Sequence, residues 1–131
     1  MANTMQFDLV SPEKRLASLE ATQVEIPGTE GDMTAMPDHA PVITTLRPGF
    51  VKVTAADGKV TVFAVTGGFA EVNAQSVSLL AEHATADLAD KGVFQTYLDD
   101  SRSRAGAASG GDKDTADKLV ADLVQLMDAM V

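Results

Sequence analysis

An aspartate and a histidine stand side by side at Asp38 and His39, with a second carboxylate just upstream at Asp32. A carboxylate that orients an imidazole, and an imidazole that takes a proton, are two parts of a hydrolase. Adjacent residues rarely make such a pair, because partners of this kind normally meet through the fold. The nucleophile is also missing: the chain has no Cys and no Ser in a G-x-S-x-G frame. His39 and His83 are the two histidines, too far apart in sequence to show metal-ligand spacing. Gly67-Gly68 and Gly110-Gly111 lie in neither phosphate-loop frame and read as turn and linker glycines. No catalytic residue, metal site or cofactor is therefore expected. A loop His on a docking surface is the leading reading, and a small hydrolase using His39 with Asp32 or Asp38 is the rival.

The net charge of −9 repels phosphate backbones and anionic headgroups, which excludes nucleic acid and direct lipid insertion as expected modes of action. Neutral or basic protein surfaces fit better. Without Cys there is neither a disulfide framework nor a thiolate metal site. No apolar run approaches the roughly 20 residues of a membrane span. The start, MANTMQFDLVSPEK, has neither the basic-then-apolar plan of a signal peptide nor the Arg-rich character of a transit peptide. The expected place of work is the compartment of synthesis.

Two periods divide the chain. Met5 to Val10 reads as a strand ended by Ser11-Pro12, and Leu19, Ala21, Val24 and Ile26 as a longer strand with a bulge. Phe50 to Val65 reads as a hairpin about an Asp57-Gly58 turn, with Val51, Val53, Val60 and Val62 on one face. Phe69 to Val72 and Val77 to Ala81 form the next pair across Asn73-Ala74-Gln75-Ser76. Frequent short strands predict a sandwich or barrel. Past residue 84, Ala116, Leu119, Val120, Leu123, Val124, Met127 and Met130 or Val131 repeat at helical spacing, with Asp112 or Asp114 as cap. A sparser stripe of Leu88, Phe94, Tyr97, Leu98 and Ala105 precedes it, across a flexible connector of residues 106–111. The expected architecture is α+β: an all-β sandwich over residues 1–84, then an antiparallel two-helix hairpin over residues 85–131.

The stretch from Gly28 to Gly49 carries a more specific signal. Gly28-Thr29-Glu30-Gly31-Asp32, then Pro37-Asp38-His39-Ala40-Pro41-Val42-Ile43-Thr44-Thr45-Leu46-Arg47-Pro48-Gly49, strongly resembles the epsilon subunit of F-type ATP synthase, whose mitochondrial counterpart is called delta. Val65-Thr66-Gly67-Gly68-Phe69-Ala70-Glu71-Val72 and Phe7-Asp8-Leu9-Val10-Ser11-Pro12-Glu13 extend the resemblance. It implies a sandwich followed by a helical hairpin, in a rotor subunit with no catalytic residue of its own. It also implies a peripheral place on the cytoplasmic face of the bacterial inner membrane. The implied partners are the gamma subunit, at His39, Ala40 and Pro41, and the c-ring, at Glu30, Gly31 and Asp32. The hairpin's implied partner is the beta subunit. Pro37, Pro41 and Pro48 stiffen the docking segment and limit the entropy lost on binding.

Two departures from the family follow. Some members bind ATP through an I-D-x-x-R-A motif at the start of the first helix. Here the region is Asp87-Leu88-Ala89-Asp90-Lys91-Gly92-Val93-Phe94, with no Arg in place. Glu82 and Asp87 stand as remnants of a nucleotide-sensing site. In many bacterial members the extended hairpin blocks ATP hydrolysis by setting basic residues against acidic loops. From residue 85 onward this chain has nine Asp against five Lys or Arg, a net of −4. Like charges weaken such docking, so inhibition is expected to be weak or absent. The alternative function is a free-standing regulatory module with the hairpin as effector.

Overall fold

The computed structural model describes residues 4–130. Strand β1 (Met5–Val10) buries Met5, Phe7 and Leu9 and turns its alternate residues outward. Strand β2 (Arg15–Gly28) is long enough to serve two layers. Its first half pairs antiparallel with β1, from Met5↔Ala21 to Leu9↔Ala17. Its second half pairs with β3 (Gly31–Ala35) on one side and β5 (Gly49–Ala55) on the other. The register shifts between Ala21 and Gln23, and Thr22 donates its hydroxyl to the Thr54 carbonyl at 3.3 Å. The extra residue switches the buried face from Ala21 to Val24 and Ile26, as the broken alternation predicts.

One layer runs through β1, β8 (Ser76–Ala81), β7 (Gly68–Val72) and β4 (Val42–Leu46), with β1 and β8 parallel. The other continues from β2 through β5 and β6 (Val60–Val65) to β9 (Ala84–Thr85). A single bridge, Gly28↔Leu46, ties β4 back to β2. The core between the layers joins Phe7, Leu9, Val72 and Leu79 to Val24, Ile26, Val51, Val53 and Phe63. The rings of Phe7 and Phe63 lie 6.4 Å apart across it.

The β5–β6 hairpin differs from the sequence expectation. Of the pair Asp57-Gly58, only Gly58 has a positive φ, at 88°. The amide of Gly58 donates to Ala55 O, and that of Ala55 to Lys59 O, so the loop has three residues with a glycine bulge. The added residue moves the register by one, which turns a strand over. Val51 and Val53 therefore face Phe63 and Thr61, while Val60 and Val62 face outward opposite Thr54 and Lys52.

Helices α1 (Gly92–Ala107) and α2 (Gly110–Ala129) form the hairpin. The glycine-rich connector is mostly helical, and only Ala108 and Ser109 lie between the helices. Neither Asp112 nor Asp114 caps α2. Ser109 holds the cap position without a side-chain bond, and Asp112 sits in the first turn, where its charge suits the helix dipole. Leu88 falls in the turn before α1. Leu123, Met127 and Met130 are buried as the stripe predicts, and Leu126 joins them. Val131 lies outside the described residues.

These side chains and Phe94 and Leu98 of α1 make a second core that includes Ala64 of β6, with Phe50 packed against it. Strand β6 is thus buried on both faces, Phe63 and Val65 inward and Ala64 under the hairpin. Alanine at that position lets the helices approach.

Candidate docking surfaces

The segment 28–49 builds two features at the two ends of β4. At one end, β2 and β3 meet in a turn at Thr29 and Glu30, between the paired Gly28 and Gly31. A Cβ on Gly28 would lie 2.7 Å from Gly31 O, and Gly31 has φ 136°, so both positions need glycine. The turn is bolted to the next strand by Thr29 N to Thr45 O and Arg47 N to Pro27 O, each 2.9 Å. Pro27 and Pro48 are buried beneath it. The Arg47 guanidinium donates through Nη1 to Gly28 O at 2.6 Å and pairs through Nη2 with Asp32 Oδ1. Of the expected acidic pair, Asp32 is therefore already engaged. Glu30 is exposed and has no ion-pair partner among the described residues.

At the other end lies the loop from Met36 to Pro41. Asp38 has φ 70°, the one positive value outside glycine among the described residues. Its amide donates to Ala74 O at 2.8 Å, tying the loop to the β7–β8 turn, and His39 N donates to Met36 O. The half-buried His39 places Nδ1 2.7 Å from the carbonyl of Ala40, with Nδ1–H as donor. No hydrogen bond joins His39 to Asp38 or Asp32 among the described residues. The geometry assembles a braced loop and no orienter–base pair.

Sequence reasoning missed what lies between these ends. Thr45 pairs with Phe69, Phe69 with Leu80, and Leu80 with Val10, making one outward row across β4, β7, β8 and β1. Phe69 is 43% exposed and Leu80 40%, and Ile43 in the next row reaches 71%. Met36, at the loop, is 50% exposed. The signal was present: Ile43, Phe69 and Leu80 sit on the strand positions opposite the core set, where polar residues are the norm.

The two acidic residues near α1 are not brought together. Asp87 accepts the amide of Ala89 at 3.1 Å and donates its own to Thr85 Oγ1 at 3.0 Å, which shapes the turn into α1. Glu82 lines a different feature, a cleft of about 430 Å³ with Glu13, His83, Asp90 and Val93. The ring of Tyr97 meets that of His83 edge-on at 5.6 Å. Burial, and then the neighbouring Glu82 carboxylate, push the Tyr97 phenol above its ordinary 10.0, against a smaller pull from Arg104. A larger cavity of about 690 Å³ lies between the Arg47 loop and the hairpin, lined by Ser101, Arg104 and Leu119 among others. Ser101 is buried and its hydroxyl has no hydrogen-bond partner among the described residues. No group of three or more metal-ligating side chains occurs among the described residues.

A twin-layered β unit with a stiff acidic turn, a braced loop, an outward apolar row and a packed helical hairpin defines a docking protein. Residues 4–87 match the family model described as ATP synthase, Delta/Epsilon chain, beta-sandwich domain. The chain is 52% identical over 129 residues to an ATP synthase epsilon chain of a Jannaschia species, covering 98% of this chain and 97% of that one. It is 42% identical over 132 residues to that of Sinorhizobium fredii, covering 100% and 98%. In fold it resembles a chain in the Euglena gracilis mitochondrial ATP synthase, with TM-score 0.70 at 20% identity, covering 96% of this chain and 80% of that one. A chain from the central stalk and c-ring of the Tetrahymena thermophila enzyme gives 0.68 at 18%, covering 96% and 95%. This chain belongs to the ATP synthase delta/epsilon family.

Proposed function

We propose that the protein is the non-catalytic epsilon subunit of the rotating central stalk of a proton-translocating F-type ATP synthase. It couples c-ring rotation to the catalytic head through gamma, as a peripheral component at the cytoplasmic face of the bacterial inner membrane. No helix among the described residues is long and apolar enough to cross a membrane. Residues 1–84 are the rotor-binding unit and residues 85–131 the hairpin.

The observation that carries the reading is the pairing of two braced features by one strand. The turn at Glu30 and the loop at His39 stand at opposite ends of β4, about 15 Å apart at the rise of a strand. In this reading the turn meets the c-ring, and the loop with Ile43, Phe69 and Leu80 meets gamma. A part that transmits torque must not flex between its contacts. Here the contacts share a hydrogen-bonded sheet.

The hairpin's acidic charge and its packing on β6 favour a folded resting place over extension toward an acidic partner. Glu82 and Asp87 do not form a nucleotide site in this reading, since Asp87 serves its turn and no Arg stands beside it.

Size-exclusion co-elution with the matching gamma subunit tests the assignment, and a folded chain that fails to bind would overturn it. ATP hydrolysis by the reconstituted head, with and without residues 85–131, tests the hairpin. The expected change is less than about twofold, at the scale of weak surface contacts, and strong activation on deletion refutes it.

A further inference from the structure

We infer that Arg47 is the positioning residue of the ring-facing turn, and that it leaves Glu30 as the single carboxylate offered to the partner. The inference rests on the proposed function and refines it. Three observations meet at this side chain. Its backbone amide is bonded to Pro27 O, so its origin is fixed on the strand opposite the turn. One arm of its fork holds Gly28 O, the carbonyl at the base of the turn. The other arm holds the Asp32 carboxylate, the first acidic side chain after the turn. The Arg47 side chain is mostly covered, at 29% exposure, while that of Asp32 is 78% exposed. A planar fork holds the carbonyl and the carboxylate on two separate nitrogens in fixed geometry, where a lysine offers one flexible point charge.

The consequence is chemical. Glu30 and Asp32 together would present two negative charges, and they would repel each other and any acidic surface nearby. With Asp32 neutralised, the turn carries one aimed carboxylate. Such a group selects a hydrogen-bond donor or a single cation on the facing loop, and the fixed direction of the turn limits the entropy of docking.

The test uses the assembled enzyme in sealed vesicles and reads proton pumping relative to ATP hydrolysed. Glu30→Gln and Arg47→Ala should each lower this ratio about three- to tenfold, the scale of one ordinary hydrogen bond at an exposed contact. Arg47→Lys should recover part of the loss. Asp32→Asn should lower the ratio by less than Glu30→Gln does, because its charge is already occupied and Arg47 keeps its bond to Gly28. Amide hydrogen exchange at Glu30 and Gly31 should quicken in Arg47→Ala and not in Glu30→Gln. Co-elution with gamma, which uses the other end of β4, checks that each variant is folded.

A fall with Glu30→Gln while Arg47→Ala and Arg47→Lys pump normally overturns the role of Arg47 and leaves the ring contact standing. Normal pumping by Glu30→Gln and Arg47→Ala alike removes the ring contact, and the inference with it. Should Arg47→Ala fail to fold, Arg47→Lys and Asp32→Asn decide. Normal pumping by Arg47→Lys, or a fall with Asp32→Asn as large as with Glu30→Gln, overturns the inference.

Discussion

Replacing Ile43, Phe69 and Leu80 together by Ser isolates the outward row from the fold. The three are 71%, 43% and 40% exposed, so the part of each that remains in water adds up to about one and a half whole side chains. Full burial of a large apolar side chain is worth roughly 1.5–3 kcal/mol, which gives about 2–5 kcal/mol for covering what is left here. That corresponds to about a 30- to 4,000-fold change in Kd, an upper range because association has its own entropic cost. Isothermal titration of the triple variant against gamma reads the affinity. A thermal melt of the variant alone reads the fold. The two should separate, with weakened binding beside a Tm within a few degrees of the parent, since the side chains point away from the core. Parental affinity in a folded triple variant would refute the reasoning, and would put the gamma contact on some other face.

Three further outcomes follow from particular atoms. A Cβ at position 68 would stand 1.9 Å from Leu80 O, at φ 139°, so Gly68→Ala must move a sheet strand. It should lower Tm by roughly 10 °C or more, read by circular dichroism, the scale of a strained backbone costing about 3 kcal/mol. The buried Ser101 hydroxyl has no partner among the described residues, so Ser101→Ala should stabilise by about 0.5–1.5 kcal/mol through relief of that group and better helix propensity. A clear fall in Tm would show that the hydroxyl has a bound partner in the adjoining cavity. The Tyr97 phenol is raised above 10.0 by burial and by Glu82, so the native state holds its proton longer than the unfolded chain. Its contribution is complete below the unfolded value and is lost as pH rises through the folded one. Melts of the parent and Tyr97→Phe should show a steeper alkaline decline in the parent, confined to pH above about 10. Parallel curves would refute it.

Much of the fold was legible because its signals are local. Phe7 and Leu9 alternate, Leu123 and Met127 recur at helical spacing, and the irregular step from Ala21 to Val24 marks a bulge. What the sequence hid was decided by single-residue counts in loops. Asp57-Gly58 suits a two-residue turn and equally the end of a three-residue one, and the longer loop turned Val60 and Val62 over. The glycines at 106, 110 and 111 weaken a helix without forbidding it, and packing against α1 and β6 extended the helices to a two-residue joint. At the candidate surfaces, the turn and loop could be located from their residue types. That Arg47 reaches from β4's end to both Gly28 and Asp32 could not, since those contacts span 19 and 15 residues and depend on how β2 and β4 meet.

The two cores have different consequences for motion. The sandwich core spans both layers and is fixed by the hydrogen bonds of nine strand pairings among the described residues, so it behaves as one cooperative unit. The helices share their own core and reach the sandwich mainly through Ala64 and Phe50. A small apolar seam beside a cavity of about 690 Å³ is the weaker of the two joints. Such a division suits a rotor part in which the sandwich must carry load while the hairpin need not. The turn at Glu30 and the row at Phe69 belong to the sandwich, and hairpin side chains such as Lys118 and Asp122 line the cavities beside Arg47. In the proposed reading the sandwich alone grips ring and stalk, and the net −4 of the hairpin weighs against its extension toward an acidic partner.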